Sequence, residues 1–267
     1  MKVIVYADFS CMYCYLASQR ADRLIREGTV EVDWRAVEHL PRLPVTGKPW
    51  PGEPRPGDAG GEDDKAEAAR LALPGEWLPA SPPSVISNTR AAVSAYAEAI
   101  TDGIQDRLRP RLFEAIWAQG RNISSPQEVR RAVTGLVWPA DPISPHLVSP
   151  DLPISILHDP EPMRLVRREG GTITPVGDPL TTAACHRVRQ WRQQWLALFG
   201  PARPEPPLSE LARPEPAIPA VIGPDGAVHA GSDALRCLAG LVSPGALSWR
   251  TAPALATARS AGRRPPG

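Results

Sequence analysis

The chain has 267 residues, 30 of them basic and 29 acidic, for a formal net charge of +1. That length can bury a substantial core as one large domain or two ordinary ones, and the balanced charge excludes a surface built for nucleic acid or an anionic membrane. No run reaches the roughly 18 apolar residues of a membrane span, and the N-terminus lacks the basic, apolar and small-residue pattern of a secretory leader, so a cytoplasmic protein is expected.

Four cysteines are too few for a disulfide scaffold, and ordinary cytosolic thiols stay reduced, so a closely spaced pair there needs a chemical reason. The 33 prolines are well above the ~5% usual in proteins. They cluster, and the clusters punctuate the chain.

Lys2 to Ala7 (KVIVYA) is short, apolar and β-branched, the signature of a strand in the middle of a sheet. Asp8, Phe9 and Ser10 lead into a helix with Leu16, Arg20 and Leu24 at helical spacing, stopped by Gly28. From Val30 to Val37, apolar Val30, Val32, Trp34 and Ala36 alternate with Glu31, Asp33 and Arg35, which predicts a strand with one buried face and completes a βαβ unit. Residues 41–83 are rich in Pro, Gly and charge. The stretch PWPGEPRPGDAGGEDD is expected to sustain neither a helix nor a sheet ladder, so a long loop is predicted, with a short helix around Lys65 to Leu71.

Helical spacing returns from Asn88, with Val93, Tyr96, Ala97 and Ile100 on one face, and continues in a second helix carrying Leu108, Leu112, Phe113, Ile116 and Trp117. Ser125-Pro126-Gln127-Glu128 reads as a capping box with Pro at the first helical position. After a proline cluster from Pro139 to Pro162, a long helix is predicted from Pro179 to Phe199, with Trp191 and Trp195 on its apolar stripe. A further proline-rich stretch from Pro201 to Pro216 precedes a hairpin: Ala220-Val221-Ile222, a Gly223-Pro224-Asp225-Gly226 turn, and Ala227 to Ala230. Ser232 is expected to cap a last helix through Leu241, and the tail at 246–267 is expected to be disordered.

The chemistry centres on Cys11-Met12-Tyr13-Cys14. At a strand-to-helix turn, Cys11 stands at the helix N-terminus and Cys14 about one turn further in. Free backbone N–H groups and the positive end of the helix dipole favour an anion, so Cys11 is expected to ionise below the ~8.5 of a free thiol and act as nucleophile. Its attack on a disulfide gives a mixed disulfide that Cys14, the more buried resolving thiol, displaces. Two simpler readings stand beside this one: two cysteines packed in a core, or half of a zinc site. Zinc wants two more ligands, and Cys185-His186 and Cys237 offer no second Cys-x-x-Cys or spaced His pair, so no metal is expected.

The strand, the DFSCMYCYLAS segment and the following helix resemble the opening of the DsbA-like thioredoxin family. The resemblance extends over residues 1–37, 84–135 and 216–242, where SNTRAAVSAYAEA, LFEAIWAQGRNIS and the capped helix after them are similar to that family's helical insertion. It implies an α/β thioredoxin fold with an inserted α-helical domain. Residues 1–40 would then form the first part of the thioredoxin domain, 41–83 the loop, 84–200 the insertion with its proline-rich extension, and 201–245 the second part. It further implies a cis-proline loop facing the first cysteine, a role that falls on Pro219 in Ala217-Ile218-Pro219-Ala220-Val221. X-Pro bonds reach the cis form at modest cost, and a proline at a strand start forfeits no ladder hydrogen bond. An ordinary trans proline at a strand entry is the alternative. Substrate contacts are expected at Met12, Tyr13, Ile218 and Pro219. Met12-Tyr13 lacks the His found between the cysteines of some relatives, and Val5 stands where several have a buried acid six residues before the first Cys.

The activity implied is thiol-disulfide exchange on a protein or small-molecule substrate, without a bound cofactor. An alternative comes from the same superfamily: kappa-class glutathione transferases and 2-hydroxychromene-2-carboxylate isomerases share the D-F-x-S-P-x-x-Y-L outline, and would make glutathione a co-substrate. They typically carry a serine where Cys11 stands, so two cysteines favour exchange. A third reading makes the chain a non-catalytic binding or chaperone-like module, using Trp191 and Trp195 as an apolar contact surface instead of as core. His39, His146, His158, His186 and His229 form no triad or ligand spacing, and Arg20 and the Arg167-Arg168 pair are read as a solvated face.

Overall fold

The computed structural model describes residues 1–50, 61–101, 103–133, 181–200 and 216–242. The proline clusters at 139–162 and 201–215, His146, His158, Arg167-Arg168 and the 246–267 tail lie outside the described residues.

Strand β1 (Lys2–Ala7) is apolar because it is the middle of a sheet. It pairs in parallel with β2 (Glu31–Ala36) on one side and antiparallel with β5 (Ala220–Ile222) on the other, and β6 (Val228–Ala230) completes the order β2-β1-β5-β6. Val5 faces Trp34 in one neighbour and Val221 in the other. Between β1 and β2 runs α1 (Met12–Glu27), the crossover that a parallel pair requires. It ends where Gly28 adopts φ 67°, its N–H donating to the Leu24 carbonyl at 3.0 Å.

The face of β2 expected to meet solvent is half-buried instead. Helix α6 (Thr182–Phe199) packs on β2, and Arg35 donates to both oxygens of Asp33, to Tyr6 Oη and to Gln194 Oε1. Trp191 and Trp195 lie in the core at 6% and 0% exposure, against Tyr96 and His39 respectively. They are therefore packing residues and do not form an apolar contact surface.

Chain between the two sheet halves supplies β3 (Lys48–Pro49) paired with β4 (Val85–Ile86), then α2 (Gly61–Leu71), α3 (Arg90–Ala99), α4 (Gln105–Phe113), a π-helical turn (Glu114–Ala118) and α5 (Pro126–Val133). The expected loop at 41–83 thus contains a short strand, and its helix begins at Gly61, within the stretch read as non-helical. The prolines there stop at Pro56, so nothing in the backbone of 61–71 forbids a helix. At α5, Ser125 Oγ accepts from Gln127 N at 3.2 Å, while Glu128 pairs with Arg121. The last helix, α7 (Ser232–Leu241), starts from Gly231, whose φ of 59° makes the turn and whose N–H donates to the Pro219 carbonyl. Ser232 is its first residue and not its cap.

Arg20 is also not solvated: at 1% exposure it pairs bidentately with Glu76 and donates to the Leu71 and Leu235 carbonyls, tying α1 to the segment after α2 and to α7. Among the described residues no helix is long and apolar enough to cross a membrane.

Candidate active site

Cys11 is the N-cap of α1, in extended geometry with φ −100° and ψ 125°. Its carbonyl accepts the Tyr15 N–H, the first bond of the helix, and its sulfur accepts the Cys14 N–H at 3.4 Å. An amide from the helix N-terminus therefore points at the sulfur of the half-buried Cys11. One turn in, Cys14 has no exposed surface. The two sulfurs are not bonded. Burial, followed by the hydrogen bond and charge of Cys11, pushes the Cys14 thiol well above the ordinary range. The pair is thus split into an accessible sulfur at the helix cap and an occluded one behind it.

The second wall comes from the far half of the sheet. The Ile218–Pro219 peptide bond is cis, and the Ile218 carbonyl lies 3.9 Å from Cys11 Sγ as a hydrogen-bond acceptor. Of the expected substrate-contact residues, Met12 and Tyr13 are partly buried beside the cysteines, and Ile218 and Pro219 are buried opposite. Tyr13 Oη donates to Glu67 on α2 at 3.3 Å, bringing that helix to the edge of the site.

Three residues around the site carried no assignment from sequence. Asp8 is fully buried, and its carboxylate accepts from Ser10 N, Ser10 Oγ and His39 N at 2.9, 3.0 and 2.6 Å. Its own carbonyl accepts the Cys11 N–H at 3.3 Å. The Asp8-to-Ser10 turn has a readable local signal in an Asp two residues before a Ser at a helix start. Trp117, on the π turn, donates its indole N–H to the Phe9 carbonyl at 3.0 Å, and Glu67 reaches Tyr13 from α2. Both are long-range contacts with no local signature.

Among the described residues no three His, Cys, Asp or Glu side chains gather into a metal-binding group. A cavity of about 210 Å³ against β2 and α6, lined by Asp33, Arg35, Arg187, Gln190, Trp191 and Gln194 among others, contains neither cysteine.

A DSBA-like thioredoxin domain model matches residues 2–151. The chain belongs to the DSBA-like thioredoxin family, and its fold is the α/β thioredoxin fold of that family. No curated protein matches it. Solved structures similar to it include a probable DsbA oxidoreductase from Streptomyces coelicolor, 15% identical, covering 100% of both chains with a TM-score of 0.53. Also similar are a 2-hydroxychromene-2-carboxylate isomerase, at 17% identity over 90% of this chain and 93% of that one with a TM-score of 0.48, and the cytosolic disulfide reductase DsbM from Pseudomonas aeruginosa, at 14% over 86% and 89% with a TM-score of 0.48. At 15% identity the likeness to the first of these is one of fold.

Proposed function

We propose that the protein is a thiol-disulfide oxidoreductase in which Cys11 is the nucleophile and Cys14 the resolving thiol. The observation that carries this reading is the asymmetry of the pair: a half-buried cysteine at the helix cap whose sulfur receives an amide N–H, and one turn in a second with no exposed surface. A serine at position 11 could orient a thiol brought by glutathione. Two cysteines so disposed can exchange disulfides themselves.

In the reductive direction the Cys11 thiolate attacks one sulfur of a substrate disulfide, forming the Cys11–substrate bond and releasing the other substrate sulfur as a thiolate that takes a proton from water. Cys14, deprotonated, then attacks Cys11 Sγ. The mixed disulfide breaks, the second substrate thiolate leaves, and the Cys11–Cys14 bond holds the two electrons' worth of oxidation. Run backwards, the same steps oxidise a dithiol. Met12, Tyr13, Ile218 and Pro219 are the residues around Cys11 that would meet the substrate, and no bound cofactor is required. Substrates are disulfide- or thiol-bearing proteins or small molecules, glutathione among them, in a cytoplasmic setting.

Replacing Cys14 with Ser tests the division of labour. Incubated with glutathione disulfide, C14S is expected to accumulate one glutathione on Cys11, seen by mass spectrometry of the intact protein and its peptides. An isomerase or transferase of the glutathione-binding type would instead bind glutathione without a covalent bond and keep its activity in C14S. Adduct on Cys185 or Cys237 with Cys11 unmodified contradicts the assignment.

A further inference from the structure

We infer that Trp117, on the helical segment between the two halves of the sheet, is a positioning residue for Cys11. The inference rests on the reading of Cys11 as the reactive thiol.

The peptide unit joining Phe9 to Ser10 is held at both ends. Its carbonyl accepts the Trp117 indole N–H at 3.0 Å, and its N–H donates to Asp8 Oδ1 at 2.9 Å. The next N–H in the chain, that of Cys11, is fixed to the Asp8 carbonyl at 3.3 Å. Three backbone groups leading into the N-cap are therefore tied down, and only one of their three partners comes from outside the turn itself. The Phe9 side chain is wedged between Tyr96 and Phe113 of the same helical segment, with ring centroids at 6.1 and 5.0 Å. Release of the Phe9 carbonyl lets that peptide rotate, and rotation there passes directly into the backbone angles that aim the Cys11 sulfur at the Cys14 N–H.

The chain spends an irregularity to make this contact. Phe113 ends a regular helix whose Leu108, Leu112 and Phe113 face the core. The following turn is π-helical, with Gln119 N bonding back five residues to the Glu114 carbonyl. One extra residue in a turn rotates the side chains beyond it by about 100° relative to the preceding stripe. Trp117 sits inside that turn, 5% exposed, with its only polar atom on the Phe9 carbonyl. Wide turns of this kind recur at functional sites because they re-aim one side chain.

The test is W117F, compared with W50F, which shrinks the aromatic neighbour of Trp117 (centroids 6.5 Å apart) but leaves the Trp117 indole donor. Two quantities are read on the full chain: the iodoacetamide alkylation rate of Cys11 at fixed pH, by peptide mass spectrometry, and the equilibrium of the Cys11–Cys14 disulfide against glutathione. W117F is expected to slow Cys11 alkylation about five-fold and to shift the equilibrium about five-fold towards the disulfide, the scale of one lost hydrogen bond, while W50F stays within two-fold of wild type. Both quantities unchanged in W117F, shifts of opposite sign, or an equal shift in W50F overturns the proposal. Should W117F not fold, benzothienylalanine at position 117 keeps the ring volume, replaces N–H by sulfur and decides the question by the same criteria. If the wild type forms no 11–14 disulfide, the oxidoreductase reading fails on its own and the alkylation rates still judge Trp117.

Discussion

Cys14 presents the sharpest contrast between where a residue sits and what it must do. In the proposed role of resolving thiol it would have to ionise, yet burial is the first cause holding its thiol above the ordinary range, and the hydrogen bond and charge of Cys11 add to that in the free dithiol. Once Cys11 is tied to a substrate its charge is gone, and burial remains. The resolving thiolate is therefore a small fraction at neutral pH, and that fraction grows as pH rises. The decay of a Cys11 mixed disulfide in otherwise wild-type protein is expected to accelerate by about ten-fold per pH unit from 6 to 8.5, with no plateau in that range. Rapid-quench mass spectrometry reads it directly, and a rate flat with pH contradicts a buried resolving thiol. This residue pair was legible in the sequence because a Cys-x-x-Cys between an apolar strand and a helix has a small set of meanings. Asp8 was less so, since its third hydrogen bond comes from the His39 N–H, far along the chain.

Buried charge as well as apolar faces joins the elements. Arg20 and Glu76 are 1% and 2% exposed and paired at 2.8 Å, joining α1 to the segment after α2, while Arg20 also reaches the Leu235 carbonyl of α7. Removing one partner strands a charge that water cannot reach. R20M is expected to cost about 3–5 kcal/mol in urea unfolding, and the R20M/E76L double variant to recover most of that loss, because a well-packed apolar pair can replace a buried ion pair. A single-variant loss under about 1 kcal/mol would place the pair at the surface. The Leu16, Arg20 and Leu24 spacing made α1 readable, and the same spacing carried the information that Arg20 lies on the buried stripe. Reading it as solvated followed residue type over periodicity. The π turn could not be read at all, because its effect is to break the 3.6-residue period on which sequence reading of helices depends.

Across the whole molecule, the matched family model ends at residue 151, whereas β5, β6 and α7 come from 216–242. These later residues supply the second neighbour of β1, the Ile218–Pro219 wall of the site and the buried Val221, Leu235 and Leu238. A chain truncated after residue 151 leaves a central strand as an open apolar edge. It is expected to aggregate in size-exclusion chromatography and to lose its near-ultraviolet circular dichroism. A monodisperse, folded fragment would show that the second half of the sheet is dispensable. The sheet was readable from both ends because β1 and β5 are apolar, β2 alternates with period two and the hairpin carries Pro-Asp-Gly. The polar face of β2 was not, since Arg35 and Asp33 look like solvent-facing residues until Arg35 meets Gln194 of α6 and Tyr6 of β1.

The oxidoreductase assignment rests on Cys11 and Cys14 forming a reversible disulfide, and equilibration of the wild-type protein in glutathione buffers of graded poise, followed by acid quench and peptide mapping, measures that. A single Cys11–Cys14 disulfide, appearing and disappearing in one two-electron transition with Cys185 and Cys237 still reduced, is the predicted result. Cys11 and Cys14 remaining unlinked across the full range of poise would contradict it.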